Sequence, residues 1–252
     1  MTIDEALARH DVGWVRAANP SALTLSGTNT WVLGRDPCYV VDPGPLLADH
    51  VEAVLAEAQR RGGVGGIALT HAHADHSEAV ELVRARSGAG APVTGGELGP
   101  LRAVPTGGHS PDHVAWVCGA VCCTGDAVLG EGSVFVSPGP GSLRGYLDAL
   151  RELRALGLEL LLPGHGPPVT DAAAKLDEYV EHRLDRERRL VDALARGART
   201  VDEMLDDAWT DAPQALRPVA AVTLAAHLDK LAEEGRLPDG VERPEVPRYL
   251  SI

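Results

Sequence analysis

A stretch of ten residues, THAHADHSEA (70–79), carries three histidines and an aspartate within six positions: His71, His73, Asp75 and His76. Imidazole nitrogens and carboxylate oxygens are donors that zinc and related divalent metals accept. A loop with the pattern His-x-His-x-Asp-His can present His71 and His73 to one metal while Asp75 and His76 face a second. The alternative is a solvated polar loop that happens to be rich in histidine. The rest of the chain decides between them, because each metal needs further ligands.

Three further candidate ligands lie far apart in the sequence, each at a glycine-containing turn beside an apolar segment. They are His109 in PTGGHSPDH, Asp126 in CCTGDAVLG and His165 in LLPGHGPP. Small glycines at a turn allow the backbone to approach a metal closely. Any one of these residues alone would be read as an ordinary turn residue. With the histidine-rich loop they make a set of nitrogen and oxygen donors large enough for two metals, which favours a metal centre.

The chain resembles the metallo-β-lactamase fold superfamily. THAHADH matches the HxHxDH motif of that family, and the three isolated candidates follow in the family's order and sequence context. The resemblance implies an α/β fold of the αββα sandwich type. It implies that one zinc is held by three histidines, His71, His73 and His109. It implies that a second zinc is held by Asp75, His76 and His165, with Asp126 bridging the pair.

The resemblance narrows to the β-lactamase-like protein 2 subgroup. It is carried by the segments GTNTWVLG (27–34), VDPG (41–44), GHSPDH (108–113), GDAVLGEGS (125–133) and PGHGP (163–167). True β-lactamases usually carry cysteine at the bridging position, so Asp126 argues against that activity. The segment between His76 and His109 (77–108) is short for the family, and we expect a strand or hairpin to be missing there.

The expected cofactors are two Zn²⁺ ions per chain, with other divalent metals as alternatives. Such a pair lowers the pKa of a bridging water toward neutrality and yields a hydroxide that attacks a carbonyl carbon or a phosphorus. Asp75 is the candidate catalytic residue, because it would contact both metal and solvent and could orient the nucleophile or carry a proton to the leaving group. A redox protein of the flavodiiron type would need a flavin domain, and a metal-free regulator would have degraded ligands. The sequence indicates neither.

Two substrate classes remain open. The first is a small or carrier-bound acyl substrate with an ester or thioester bond. The second is single-stranded RNA, which the resemblance to the β-lactamase-like protein 2 subgroup implies. The formal net charge is −13 and aromatic residues make up 4% of the chain. Single strands bind to basic grooves with aromatic stacking platforms, so we favour the ester or thioester.

The elements that must position the ligands alternate between strand-length apolar segments and helical patterns. Predicted strands cover 30–34, 38–42, 66–70, two segments within 113–126, and 158–163. Predicted helices cover 46–60, 142–156, 172–197, 200–209 and 216–237. The candidate ligands follow strand ends, where α/β proteins place their chemistry.

We assign residues 1–174 to a metallo-β-lactamase fold catalytic domain and 175–252 to a small winged-helix-like helical domain, whose tail (236–250) could form a β-wing. The second domain carries 12 basic and 17 acidic residues, so it lacks the basic surface of a winged helix that reads DNA. We expect it to pack on the catalytic domain, shape the cleft or form a homodimer contact. Four of its arginines could either contact phosphates or form a solvated face with neighbouring acids: Arg183, Arg186, Arg188 and Arg189.

Several polar residues near the ligands have two interpretations. Asp42 either orients a ligand histidine or simply ends a strand at Pro43 and Gly44. His113 is expected to be a structural histidine that bonds a loop carbonyl. The segment 28–30 (Thr28, Asn29, Thr30) either lines the pocket or forms a plain hairpin edge. The remaining histidines are expected to be surface or packing residues: His10, His50, His182 and His227.

The bulk composition indicates a globular protein without a membrane segment, since no apolar stretch of about 18 residues occurs. The first twelve residues lack the apolar core of a signal peptide. The four cysteines form no CxxC pair, and we expect them to be reduced packing residues. These features predict a cytoplasmic location.

Overall fold

Two β-sheets lie at the centre of the computed structural model, which describes residues 2–246. The strands are β1 (Val12–Arg16), β2 (Asn29–Leu33), β3 (Cys38–Val41), β4 (Val64–Ala68), β5 (Glu97–Leu98), β6 (Leu101–Pro105), β7 (Val114–Cys118), β8 (Val121–Gly125) and β9 (Leu160–Pro163). The helices are α1 (Ile3–Arg9), α2 (Ala48–Arg60), α3 (Ala74–Ser77), α4 (Val80–Ser87), α5 (Ser142–Ala155), α6 (Ala172–Ala195), α7 (Val201–Ala208) and α8 (Arg217–Glu233). A 3₁₀ turn, Gln214–Leu216, precedes α8.

The first sheet has the order β1-β2-β3-β4 and the second β5-β6-β7-β8-β9. All neighbours are antiparallel except β3 with β4 and β8 with β9, which are parallel. The inner faces share one apolar core, to which Trp31 of β2 and Trp116 of β7 contribute. Successive strand residues point to opposite faces. Cys123 accordingly lies in this inner core, and Cys122 lies in the core beneath the outer helices.

Helices cover the outer face of each sheet. Helix α2 packs Val54 and Ala58 against β2 and β3. Helices α5 and α6 pack on the outer face of the second sheet, with Leu150 and Leu176 in that core. The resulting layers are helix, sheet, sheet and helix, so the predicted αββα sandwich is confirmed.

The C-terminal domain is built from three helices around its own apolar core, which includes Leu190 of α6, Leu205 of α7 and Leu228 of α8. Helix α6 is shared, because its first turns pack in the catalytic core and its last turns pack here. The boundary between 174 and 175 stays a prediction, and in the structure it falls within this continuous helix. The domain packs on the catalytic domain, as expected, and a homodimer contact stays a prediction.

The prediction of a β-wing in the tail is wrong for the part that the structure describes. Residues 236–246 contain no strand, and 247–250 of the predicted tail lie outside the described residues. Pro238, Gly240 and Pro244 account for this, because proline lacks the N–H that a sheet ladder needs and glycine weakens a strand. The segment 77–108 holds α4 and the β5–β6 hairpin, and the expected loss of a strand or hairpin relative to the family stays a prediction.

All four cysteines are free, as predicted. Within residues 2–246, none of the helices combines the length and the apolar character needed to cross a bilayer. The cytoplasmic location stays a prediction.

Candidate metal centre

The ends of four strands meet at one edge of the sandwich and bring the candidate ligands together. Asp42 directly follows β3, His71 comes three residues after β4, Asp126 directly follows β8, and His165 comes two residues after β9. The carboxyl ends of parallel strands lie at the same edge of a sheet, which explains the convergence. His109 arrives on the loop between β6 and β7.

The seven residues predicted as ligands fall into two neighbouring groups. The ligand atoms within each group lie within 4.8 Å of one another. The first group is His71, His73, His109 and Asp126; the second is Asp75, His76 and His165. The structure therefore places every predicted ligand at one centre, while the metal-binding role of each residue stays a prediction.

Ring nitrogens converge in the first group. His73 Nδ1 lies 2.9 Å from His71 Nε2 and 3.0 Å from His109 Nε2. Lone pairs that face one another this closely repel unless a proton or a metal cation lies between them. Three imidazole nitrogens that converge on one point, with a carboxylate oxygen beside them, form a donor set that suits zinc.

Asp126 lies between the two groups. Its Oδ2 is 3.5 Å from His109 Nε2, and its Oδ1 is 3.5 Å from His76 Nε2 and 3.4 Å from His165 Nε2. In the second group, Asp75 Oδ2 is 3.3 Å from His165 Nε2. One carboxylate with an oxygen facing each group is the arrangement that a bridging ligand requires.

Two observations show that the residues fit metal ions. Asp126 Oδ1 is buried and accepts no hydrogen bond from the described residues 2–246, which is costly for an ionised oxygen unless a cation compensates it. Gly164 leaves room beside it, because a Cβ there would lie 2.5 Å from Asp126 Oδ1 and 2.6 Å from His76 Cε1. A side chain at 164 would fill the space between the ligands.

The electrostatics of the centre favour positive charge near Asp126. Burial by itself lowers the pKa of His76, but the carboxylates of Asp126 and Asp42 raise it to about 10. Burial favours the protonated form of Asp126, yet His165 and His76 hold the pKa of that carboxyl well below its usual value. The same field that retains a proton on His76 attracts a metal cation.

The first group behaves differently, because burial lowers the pKa of its histidines. The pKa of His71 falls well below its usual value, the pKa of His73 falls, and the pKa of His109 falls to about 4. These imidazoles are therefore neutral at physiological pH, which is the form that binds a metal.

Asp42 orients a histidine in each group. Its Oδ2 accepts from His76 Nδ1 (2.9 Å) and from the Thr70 hydroxyl (2.7 Å), and its Oδ1 accepts from Thr70 N (2.7 Å). Thr70 Oγ1 in turn lies 3.0 Å from His71 Nδ1. With the Thr70 proton donated to Asp42, His71 donates from Nδ1, and Nε2 of both histidines faces the centre. Of the two interpretations of Asp42, these contacts favour the orienting one, while the ligand role of His76 stays a prediction.

His113 is a structural histidine, as expected, although its partners differ from the expected loop carbonyl. Its Nδ1 lies 2.7 Å from Thr106 Oγ1, and its Nε2 accepts from the backbone N–H of Asp126 (3.0 Å). The ring thus fixes the backbone at Asp126 from behind. Gly125 has a φ of +46°, and a Cβ there would lie 2.8 Å from His113 Nε2.

Thr28, Asn29 and Thr30 are fully buried, so the prediction that they line the pocket is wrong. They support the centre instead. The Thr28 hydroxyl donates to Asp75 Oδ2 (2.9 Å), and the Asn29 amide donates to the carbonyls of Pro163 (3.0 Å) and Gly166 (2.8 Å), which brackets His165. These partners lie more than 45 positions away in sequence, which is why no local pattern indicated them.

The other histidines contact packing partners, as predicted. His50 Nε2 lies 2.9 Å from Thr30 Oγ1, His10 lies 3.4 Å from Glu159, and His227 is fully buried against the ring of Trp209. His182 is half-buried beside Ser133 at the boundary between the domains.

A cavity of about 490 Å³, here called the site cavity, opens onto both groups. Asp75, with 28% of its side chain exposed, faces it together with His73. The other walls are mostly apolar: Ala22, Leu23, Leu25, Leu129, Val134, Phe135, Leu216 and Val219. Leu216 and Val219 belong to the C-terminal domain, so that domain shapes the cleft, as expected.

The arginines of α6 require a correction. Arg183 and Arg186 are 2% and 5% exposed, so they form neither a solvated face nor an open phosphate track. Arg188 and Arg189 are exposed and pair with Asp185 (3.2 and 2.7 Å), as a solvated face would. Arg183 bonds Ser133 and Val134 of the catalytic domain, and Arg186 bonds Ala208 and Asp211 of the C-terminal domain. Helical spacing alone could not show these contacts.

Family models match most of the chain. The metallo-β-lactamase superfamily matches residues 23–94 and 88–165, and the β-lactamase-associated winged helix domain matches 200–239. The chain is similar to the lactamase-like protein nscB of Trichophyton rubrum, with 30% identity over 94% of this chain and 76% of that one. It is similar to the β-lactamase-like protein 2 homolog of Caenorhabditis elegans, with 27% identity over 86% of this chain and 82% of that one.

A similar fold occurs in the crystal structure of a metallo-β-lactamase family protein from Thermus thermophilus. The TM-score is 0.67 at 25% identity, over 89% of this chain and 94% of that one. The similarity extends through both domains, since it covers nearly the full length of each chain.

Proposed function

Because the chain belongs to the metallo-β-lactamase superfamily, whose members are hydrolases, we propose that it is a dinuclear zinc hydrolase that cleaves an ester or thioester bond of a small or carrier-bound acyl substrate. The observation that carries the substrate class is the site cavity. None of the residues that line it in the described part of the chain is lysine or arginine, and its walls away from the candidate ligands are mostly apolar. Such walls suit an acyl chain.

The donor chemistry supports two zinc ions. His71, His73 and His109 would hold one and Asp75, His76 and His165 the other, with Asp126 between them. When bound, such a pair makes water acidic enough to supply a nucleophile at neutral pH and neutralises charge that develops on the substrate oxygen. Asp42 and Thr70 hold His76 and His71 in the orientation that this requires.

Asp75 is the residue placed to move a proton. Of the two candidate ligand carboxylates on the site cavity, Asp75 is more exposed than Asp126, at 28% against 9%, and the Thr28 hydroxyl holds its Oδ2 at 2.9 Å. Hydrolysis releases one proton from the attacking water, and the departing thiolate or alkoxide needs one. Asp75 can accept the first and deliver it to the second. Phe135 and Val134 wall the cavity and keep bulk water from the acyl group.

Single-stranded RNA is the less favoured substrate. A polynucleotide needs a basic track and stacking platforms. The site cavity instead carries Glu131 on its wall in addition to the candidate ligands Asp75 and Asp126, and Phe135 is its one aromatic side chain among the described residues.

The test compares substrates and variants in one preparation. Elemental analysis of the purified protein should give about two zinc ions per chain, and an acyl thioester should be hydrolysed while a labelled single-stranded RNA stays intact. Asp126→Asn should lower both metal content and hydrolysis, whereas Asp112→Asn, an exposed carboxylate near the same loop, should alter neither. Cleavage of the RNA without hydrolysis of the thioester would overturn the proposal.

A further inference from the structure

A second cavity of about 490 Å³, here called the interdomain cavity, adjoins the site cavity. The two share one wall, formed by Gly132, Ser133, Val134, Phe135, Leu216 and Val219. The ring of Phe135 on this wall lies 4.5 Å from that of His109, measured between centroids. A substrate that reached past the edge of this wall from the metal centre would place its remote end in the interdomain cavity.

Arg183 lines the interdomain cavity and is 2% exposed. Its Nη2 donates to Ser133 Oγ (2.8 Å) and to the Val134 carbonyl, and its guanidinium lies 5.7 Å from the centroid of the Tyr146 ring. Its Nε is buried without a hydrogen-bond partner, and no carboxylate within residues 2–246 forms an ion pair with it. A buried cation without a counter-charge is costly, so a ligand that supplies the charge would bind there strongly.

Arg186 shows the contrast one turn along the same helix. It donates to the Ala208 carbonyl and pairs with Asp211 at 2.5 Å. Its charge is therefore compensated by the protein, whereas the charge of Arg183 is not.

His182 lines the same cavity beside Arg183, together with the carboxylates of Glu178 and Asp211, of which Asp211 is paired with Arg186. The Nδ1 of His182 lies 3.4 Å from Ser133 Oγ, so it shares that hydroxyl with Arg183. Burial first, and then the charges of Arg183 and Arg186, lower the pKa of His182 to about 4, while Asp211 and Asp185 act in the opposite direction, so the ring is neutral at physiological pH. The neutral ring can still donate one N–H to an anion.

We propose that Arg183, His182 and Ser133 form a subsite for an oxyanion, a carboxylate or a phosphate, that the substrate carries at a distance from its scissile bond. This inference rests on the proposed function, because it assigns the remote part of the same acyl substrate. The planar guanidinium suits both oxyanions through parallel N–H donors. A structural role for Arg183, as an anchor between α6 and residues 133–134, predicts no dependence on substrate charge.

The first experiment uses the zinc-loaded protein and three hexanoyl thioesters of equal length. Their leaving thiols are 6-mercaptohexanoate, its neutral amide, and 4-mercaptobutyl phosphate. We expect kcat/KM for at least one anionic thioester to exceed that for the amide by about 10-fold or more, chiefly through KM, as a charged hydrogen bond provides. The carboxylate and phosphate arms show which oxyanion the subsite prefers.

The second experiment places a competing charge in the subsite. Ser133 is exposed, and its Oγ lies next to the Arg183 guanidinium, so Ser133→Asp would pair with Arg183 without loss of packing. The preference for the anionic thioester should fall to about 2-fold or less, and by more than in the isosteric Ser133→Asn, because only aspartate supplies a charge. Arg183→Met should also remove the preference for the anionic thioester. Arg188→Met, at an exposed neighbouring position, should retain the wild-type preference.

Each outcome bears on a different statement. Equal kcat/KM for all three thioesters in the wild type overturns the subsite and leaves the hydrolase proposal intact. A preference that persists in Ser133→Asp overturns the assignment to Arg183, even where Arg183→Met does not fold. No hydrolysis of any thioester overturns the proposed function and the subsite with it.

Discussion

Replacement of Asp42 by asparagine tests the metal centre without removing a ligand. The carboxylate is 1% exposed and accepts three hydrogen bonds, from Thr70 N, the Thr70 hydroxyl and His76 Nδ1. Asparagine keeps the shape but turns one acceptor oxygen into an N–H₂ donor. Opposite that N–H₂ group, His76 Nδ1 either loses its hydrogen-bond acceptor or passes its proton to Nε2. Nε2 is the atom that points toward Asp126.

The expected loss of zinc affinity follows from the role of Asp42 as the hydrogen-bond partner of His76. Loss of the carboxylate that orients a metal-binding histidine costs about 10- to 100-fold in metal affinity, which corresponds to about 1.4–2.7 kcal/mol. The buried donors left unpaired cost about 1–3 kcal/mol of folding free energy. A loss of that size lowers the Tm of a chain of this length by about 2–4 °C per kcal/mol.

The assay is a zinc titration of metal-free protein against a chromophoric chelator, fitted to two sites. Asp42→Asn should weaken one site by about 10- to 100-fold. The matched control is Asp112→Asn, because Asp112 is exposed and accepts from Ala72 N (2.9 Å) in the ligand loop without touching an imidazole. If the Asp42 variant binds both equivalents as tightly as the control, the reasoning that His76 is a ligand oriented by Asp42 is refuted.

Four further predictions concern other residues of the chain. Gly164→Ala, whose Cβ would lie 2.5 Å from Asp126 Oδ1, should lower hydrolysis by about 100-fold. Gly145→Ala, at an open helical position, should raise the free energy of unfolding by about 0.5–1 kcal/mol in denaturant titrations. Calorimetric zinc titrations at pH 8 in buffers of different ionisation enthalpy should show release of about one proton per chain or more, because the pKa of His76 is about 10 and zinc must displace its proton. A water ionised by the zinc pair would add to that release, and zinc binding without any proton release would contradict the prediction. Thr70→Val removes the hydroxyl that holds His71 Nδ1 and should weaken zinc binding by about 10-fold, whereas Thr70→Ser should not.

The clustering of the candidate ligands could be predicted from sequence because its strongest part is local. His71, His73, Asp75 and His76 lie within one loop, so their types and spacing are visible without a fold. The isolated candidates at 109, 126 and 165 carried a weaker signal, a glycine turn beside a strand, and only their order in a known family connected them. Strongly periodic elements were also predictable, as the interpretation of 46–60 against the observed α2 shows.

Elements held by long-range pairing were missed. Strand β1 has the sequence VGWVR and β6 the sequence LRAVP, and neither alternates cleanly because glycine, arginine or proline interrupts it. Each forms because a neighbouring strand supplies its hydrogen bonds, β2 for one and β7 for the other. Burial of Arg183 was missed for the same reason, since its partners Ser133 and Val134 lie about 50 positions away.

The C-terminal domain forms part of the wall of the cleft. Helix α6 is anchored in the catalytic core by Leu176 and continues into the C-terminal core with Leu190, so it fixes one domain on the other. That position sets where α8 begins, and Leu216 and Val219 at its start close both cavities. In the proposed hydrolase the metal centre would determine which bond is broken. The joint between the domains would determine which substrates reach it, because the apolar wall and the buried Arg183 both lie there.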